Sequence, residues 1–195
     1  MSVSPIVDSK LKWILDDAYP LARQSVIYSE VMLGELNYSG IAELRDVLDH
    51  IQRALDADNE EDALKDLEAA YEHIRRGAVE SLQRAATKTF FDALQVIRYP
   101  NWMYKILFHE VPDKGQIRDL QMKAMEKIAD GRSHKSDKDK WKNSIEDFKD
   151  AIDASNEIID KLPNKAEFRF CLLTIVGVII TLASPLLSFL YILFR

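Results

Sequence analysis

The chain is short of the residues that build most catalytic centres. It holds a single cysteine, Cys171. No internal disulfide can form, as suits a reducing cytosol. The four histidines, His50, His73, His109 and His134, are scattered, and neither HExxH nor CxxC occurs. That removes the closely spaced ligand sets of zinc sites. No P-loop, GxGxxG or GxSxG is present, so nucleotide-driven and metalloprotease chemistry drop out. Nothing in the residues implies a metal or a cofactor. Six glycines and six prolines are few. With abundant Ala, Leu, Glu, Lys and Asp, the expected fold is mostly helix. The N-terminus, MSVSPIVDSK, has no apolar run and does not read as a signal peptide.

What is present is one long apolar run. Residues 170–194, FCLLTIVGVIITLASPLLSFLYILF, carry no charge over 25 positions. As a helix they reach roughly 37 Å, against a hydrocarbon core of about 30 Å. The expectation is a single transmembrane helix, with membrane lipid as its surroundings. Pro185 removes one helical hydrogen bond, and Ser184 and Thr181 stand near enough to compensate. Lys161, Lys165 and Arg169 precede the run and only Arg195 follows it, which places the N-terminal part on the cytoplasmic side and nothing folded beyond. Insertion then comes late in synthesis. Cys171, at the membrane edge, is a conceivable palmitoylation site. Thr174, Gly177, Thr181, Ser184 and Ser188 recur at alternating three- and four-residue steps and form one stripe of small or hydroxylated side chains. Such a stripe supports self-association into a homodimer or higher oligomer, or lines a narrow polar path. Alternatively the hydroxyls bond their own helix at i−4.

The rest of the chain reads as an all-α antiparallel bundle in two parts, residues 1–112 and a basic helical segment 113–165, followed by the anchor 166–195. A first helix starts near Asp8 or Ser9, and Pro20 either opens a second segment or kinks one long helix. Ser39 is the expected cap of the next helix, whose core face is Ile41, Leu44, Leu48, Ile51 and Leu55. After the acidic connector 58–62, a long helix runs from about Glu61 to Arg98 and packs antiparallel on its predecessor. Phe90, Phe91, Trp102, Tyr104 and Phe108 form a dense aromatic core or, alternatively, an exposed partner groove. A helix from Gln116 stops at Asp130-Gly131, a charged mobile loop covers 132–139, and Trp141 to Leu162 is the last helix before a Pro163-Asn164 hinge. No internal repeat and no strand is evident. The net charge of −6 hides a basic segment from Lys114 to Lys142, which faces anionic lipid or RNA, or is a solvated face.

One short motif carries chemistry: Arg45-Asp46-Val47-Leu48-Asp49-His50. It resembles the R-(polar)-x3-H motif of the HEPN superfamily of small helical bundles, over roughly residues 5–110. Tyr71-Glu72-His73-Ile74-Arg75-Arg76 on the next helix is expected to lie alongside. The resemblance implies a dimer in which arginine and histidine of two copies meet and cut RNA without metal, in a bacterial defence or stress setting. By position, Arg45 would stabilise the phosphate, His50 would act as acid or base, and Asp46 would be the polar residue. Histidine suits the proton transfer and arginine the developing charge; Asp46, four residues before His50, shares its helix face. Against RNA stand Asp49, Asp56 and the acidic connector, and Arg45 with Asp49 also forms an ordinary i+4 pair. A non-enzymatic membrane adaptor or effector that assembles through its transmembrane helix is the alternative function.

Overall fold

The computed structural model describes residues 4–96, 101–108, 113–162 and 165–193, without the side chains of 96, 101, 107, 108, 165, 167 and 186–193. Among the described residues there is no strand. Seven helices pack together, and a long eighth meets them near its start, where Phe168 is buried.

α1 (Pro5–Trp13) begins a turn earlier than the sequence suggests. Ser4 caps it, its Oγ accepting from the Ile6 amide at 3.3 Å. Pro5 fills the opening position, where its missing N–H is no loss. Pro20 leaves α1 joined to α2 (Tyr19–Leu33) through one wide turn of π-helix, Ile14–Ala18. There the Tyr19 amide reaches back to the Ile14 carbonyl, so the chain is one long helix with a bulge. Gly34, at φ 65°, ends α2 with its amide on Glu30 O.

α3 (Tyr38–Asp56) is capped by Asn37, not Ser39. Asn37 is buried. Its Oδ1 accepts from the Gly40 amide at 3.0 Å, and its Nδ2 donates to Ser29 Oγ at 3.0 Å and Ser81 Oγ at 2.7 Å. A local cap thus also ties three helices together, which local spacing cannot reveal. The core face of α3 is Gly40, Val47, Ile51 and Ala54, with Leu44 packed against it. Ile41, Leu48 and Leu55, expected inside, are 45–54% exposed. α3 packs mainly on α4, with a smaller contact to α2, and the outer edge of its apolar stripe stays uncovered.

α4 (Glu60–Val96) is the axis of the bundle. α3 runs antiparallel to it, pairing Glu43 with His73 and His50 with Asp66. α6 (Lys114–His134) and α7 (Trp141–Asp160) form a second hairpin on its other side. Trp141 Nε1 donates to Tyr71 Oη at 2.6 Å. Although 113–165 reads as a separate segment, Ile128, Trp141, Ile145, Phe148 and Ile152 share one buried cluster with residues of α1–α4. α6 passes through Gly131 instead of stopping there. A Cβ on Gly131 would lie 2.7 Å from Phe148 Cε1, so this glycine serves close helix approach rather than chain reversal. Much of the expected mobile loop is therefore helix or tight turn, closed by Asp137 N–H to His134 O and Lys140 N–H to Asp137 O.

A second cluster lies at the far end of α4: Ala93, Tyr104, Ile117, Leu120, Ala124, Ala154, Ile158 and Leu162. It holds α5 (Asn101–Phe108) through Tyr104. The aromatic core expected there divides. Tyr104 is buried and Phe90 partly so, while Phe91 and Trp102 are exposed; Phe108's side chain lies outside the described residues. α8 (Lys165–Leu193) follows, unbroken at Pro185. It is long and apolar enough to cross a membrane, and almost none of it is buried. Pro163 and Asn164 lie outside the described residues.

Candidate functional site

The α3–α4 seam carries the motif and more than the motif. Glu43, His50 and Arg53 stand on α3 at steps of seven and three residues. Asp66, His73 and Arg76 stand on α4 at the same steps. Each set occupies one helix face. Because the helices are antiparallel, the acid of each reaches the histidine of the other. His50 Nδ1 lies 2.8 Å from Asp66 Oδ1, and His73 Nδ1 lies 2.7 Å from Glu43 Oε2. The arginines follow the same rule: Arg53 Nε is 3.1 Å from Asp66 Oδ1, and Arg76 Nε is 3.4 Å from Glu43 Oε2. The two imidazoles meet between the helices with ring centroids 5.1 Å apart. Their side chains are only 19% and 17% exposed. The sequence therefore does contain a short internal repeat, acid-x6-His-x2-Arg at 43–53 and 66–76. Its signal was the shared spacing of three residue types, invisible to a search for apolar periods.

Each Nδ1 has two neighbours competing for it. His50 Nδ1 has Arg53 Nη2 at 2.7 Å, and His73 Nδ1 has Arg76 Nη2 at 3.0 Å. A protonated Nδ1 donates to the carboxylate; an unprotonated one accepts from the arginine. The hydrogen bond from His50, with help from Arg53 and against the cost of burial, holds the Asp66 carboxyl below its usual range.

The motif residues are placed as follows. Arg45 is on the surface, 71% exposed, and donates to Asp46 Oδ1 from Nε at 3.1 Å and Nη2 at 2.8 Å. That bond holds Asp46 below the usual carboxylate range. The expected Arg45–Asp49 pair is replaced by this one. Asp46 Oδ2 comes within 4.0 Å of His73 Nδ1, so Asp46 leans toward His73, not His50. Within one copy, Arg45 and His50 engage different carboxylates. His73, quoted only as a neighbour, is the missed partner of His50.

The chemistry open to this seam is acid–base work by two adjacent imidazoles beside arginines. Its surroundings are acidic. An open groove of about 760 Å³ next to His50 is lined by Asp49, Asp56, Asp58, Asp62 and Asp66, against Arg53 and Lys65. Arg53 and Arg76 are about half exposed, each with its Nε on a carboxylate that competes with phosphate for the guanidinium. Among the described residues no cluster of three ligating side chains could hold a metal ion.

Much of the basic segment is spent inside the molecule. Lys127 meets Asp147 at 2.9 Å and Asp150 at 3.3 Å, and His134 meets Asp147 at 2.8 Å. Burial pushes Asp147 up, but the bonds from Lys127 and His134 outweigh it and hold the carboxyl low. Lys138 reaches Glu72 at 2.9 Å, and the Lys135 carbonyl accepts from Arg75 at 2.8 Å. On α8, Thr174 and Thr181 donate to the carbonyls of Phe170 and Gly177 at 2.9 and 2.8 Å. Their hydroxyls thus bond their own helix and keep lone pairs facing outward. Nothing would touch a Cβ added at Gly177, and Ser184 is exposed on the same helix. Ser188's side chain lies outside the described residues. No family model, no curated protein and no solved structure matches this chain.

Proposed function

We propose that the chain is a single-pass membrane protein whose helical bundle stands on the cytoplasmic side and acts as an adaptor or effector by assembling copies. One observation carries this reading. α8 leaves Phe170 at 72%, Leu173 at 70% and Leu182 at 66% exposure, although Phe168 at its start is buried against Tyr104 of α5. Each such side chain left in water forgoes about 1.5–3 kcal/mol of burial. Lipid, or α8 of other copies within lipid, removes that cost. The cytoplasmic side follows from Lys161, Lys165 and Arg169 before the run. The Thr174–Gly177–Thr181–Ser184 stripe supports assembly, because small residues let backbones approach. Fractionation with protease treatment of sealed vesicles tests both parts. The full chain should pellet with membranes and release only with detergent. Residues of the bundle should be cut from the cytoplasmic face alone. A chain found in the supernatant without detergent overturns the reading.

A second reading, metal-independent RNA cleavage by a HEPN-like dimer, rests on the outer face of α3. Tyr38, Ile41, Arg45, Leu48, Gln52 and Leu55 follow a three-four spacing there, and Ile41, Leu48 and Leu55 are uncovered. Two copies joined along it would bring a second Arg45 toward each His50. The full-length protein in lipid discs, given RNA with and without chelator, tests this. Cleavage that survives chelation and disappears in both Arg45→Ala and His50→Ala supports it. Equal behaviour of wild type and variants leaves the adaptor reading alone.

A further inference from the structure

α5 is short, and its two sides face different surroundings. Tyr104 points inward, buried against Ile117, Leu120 and Ile158. Trp102 and Ile106, two residues to either side and so about 200° round the helix, are 63% and 55% exposed. Lys105 is exposed beside them, and no described carboxylate pairs with it.

α5 also touches α8. Tyr104 packs edge-on against Phe168 of α8, with ring centroids 6.5 Å apart. Phe168 stands two residues before Phe170, where the uncharged run begins. Two residues rise about 3 Å. α5 is therefore fastened within about 10 Å of the plane where hydrocarbon must start. The headgroup layer spans roughly 5–8 Å on each side of the core. Tryptophan is the residue that favours this layer, with its ring against acyl chains and its N–H toward water.

We propose that α5 is a second membrane contact, its Trp102–Ile106 face lying in the headgroup boundary of the bilayer that α8 crosses, with Lys105 toward lipid phosphate. The proposal rests on the anchoring reading above. It makes the bundle a docked body rather than one swinging on a tether. His73 lies 20 residues before Ala93 on α4, about 30 Å of helix.

The chain has three tryptophans, Trp13, Trp102 and Trp141. Trp13 and Trp141 both pack on Tyr71, with centroids 5.0 and 6.1 Å away. Tyr71 is about 33 Å along α4 from Ala93, and α8 contains no tryptophan. Acyl-brominated phosphatidylcholine quenches only nearby indoles, so full-length protein in such vesicles reports Trp102. Flotation of the vesicles is read in parallel. The expected result is co-flotation with part of the emission quenched, and loss of that part in Trp102→Phe. Co-flotation without quenching, or quenching undiminished in Trp102→Phe, overturns the second contact while leaving the anchor standing. Emission that responds to protein dilution in the vesicles but not to bromine puts another copy on this face and also overturns it. Failure to float removes the anchor and this contact together.

Discussion

α4 and α8 are both long helices, of 37 and 29 residues, and they use hydrophobicity in opposite ways. α4 is charged along most of its length, yet Leu67, Ile74, Ala78, Leu82 and Ala93 are all at 0% exposure. Its few apolar residues keep to one stripe, and α2, α3 and α7 cover that stripe. α8 has no charge beyond Arg169 in its described residues, yet its large side chains stand open. An amphipathic helix is completed by protein; a helix apolar on every side requires another solvent. Mean hydropathy alone would rank the two by burial in the wrong order.

The largest expected effect breaks α8's side of this contrast. Ile179→Arg with Leu182→Arg puts two charges at the middle of the run, at about 2.5–3.5 kcal/mol each for insertion. The chain should move from the membrane pellet to the supernatant, seen on immunoblots of fractionated cells. Next comes the core around α4. Phe148→Ala should lower bundle stability by about 3–5 kcal/mol in denaturant titration, with membrane partition unchanged. Gly131→Ala, which drives a methyl into that same ring, should cost about 1–3 kcal/mol.

A smaller effect sharpens the comparison through pH. Asp66 and Asp147 have folded-state pKa values below the unfolded value of about 3.9. Their contribution is complete above that value and is lost as pH falls through the lower folded values. The thermal midpoint of the bundle should therefore drop as pH falls below about 4, and the drop should be shallower in Asp66→Asn and Asp147→Asn. Membrane association through α8 should not follow pH in this window. The smallest effect is expected for Thr181→Val. It removes a hydroxyl that bonds within α8, so any change in self-association measured by energy transfer in vesicles should stay below about 1–2 kcal/mol.

Some of this was legible residue by residue. The three-four spacing around Leu64–Leu82 marked α4, and the short acidic connector implied the antiparallel α3–α4 hairpin. The side of α3 that packs was not legible. Ile41, Leu44, Leu48, Ile51 and Leu55 look like one core stripe, but that stripe is wider than the surface that α4 and α2 present to it. Gly131 read as a stop because glycine commonly ends helices; its actual use, approach to Phe148, exists only once α6 and α7 pair. At the candidate site, Arg45, Asp46 and His50 were found by spacing, yet spacing cannot tell which carboxylate each would engage.

Sequence alone determined the helical class and a C-terminal helix long and apolar enough to cross a membrane, because both follow from local composition and helical period. Tertiary structure alone decided that Asp66 and Glu43 cross between helices to His50 and His73, and that Tyr104 turns inward while Trp102 turns out. Those outcomes depend on which helix lies beside which, and in what register. A residue's own neighbours in the chain carry no record of that.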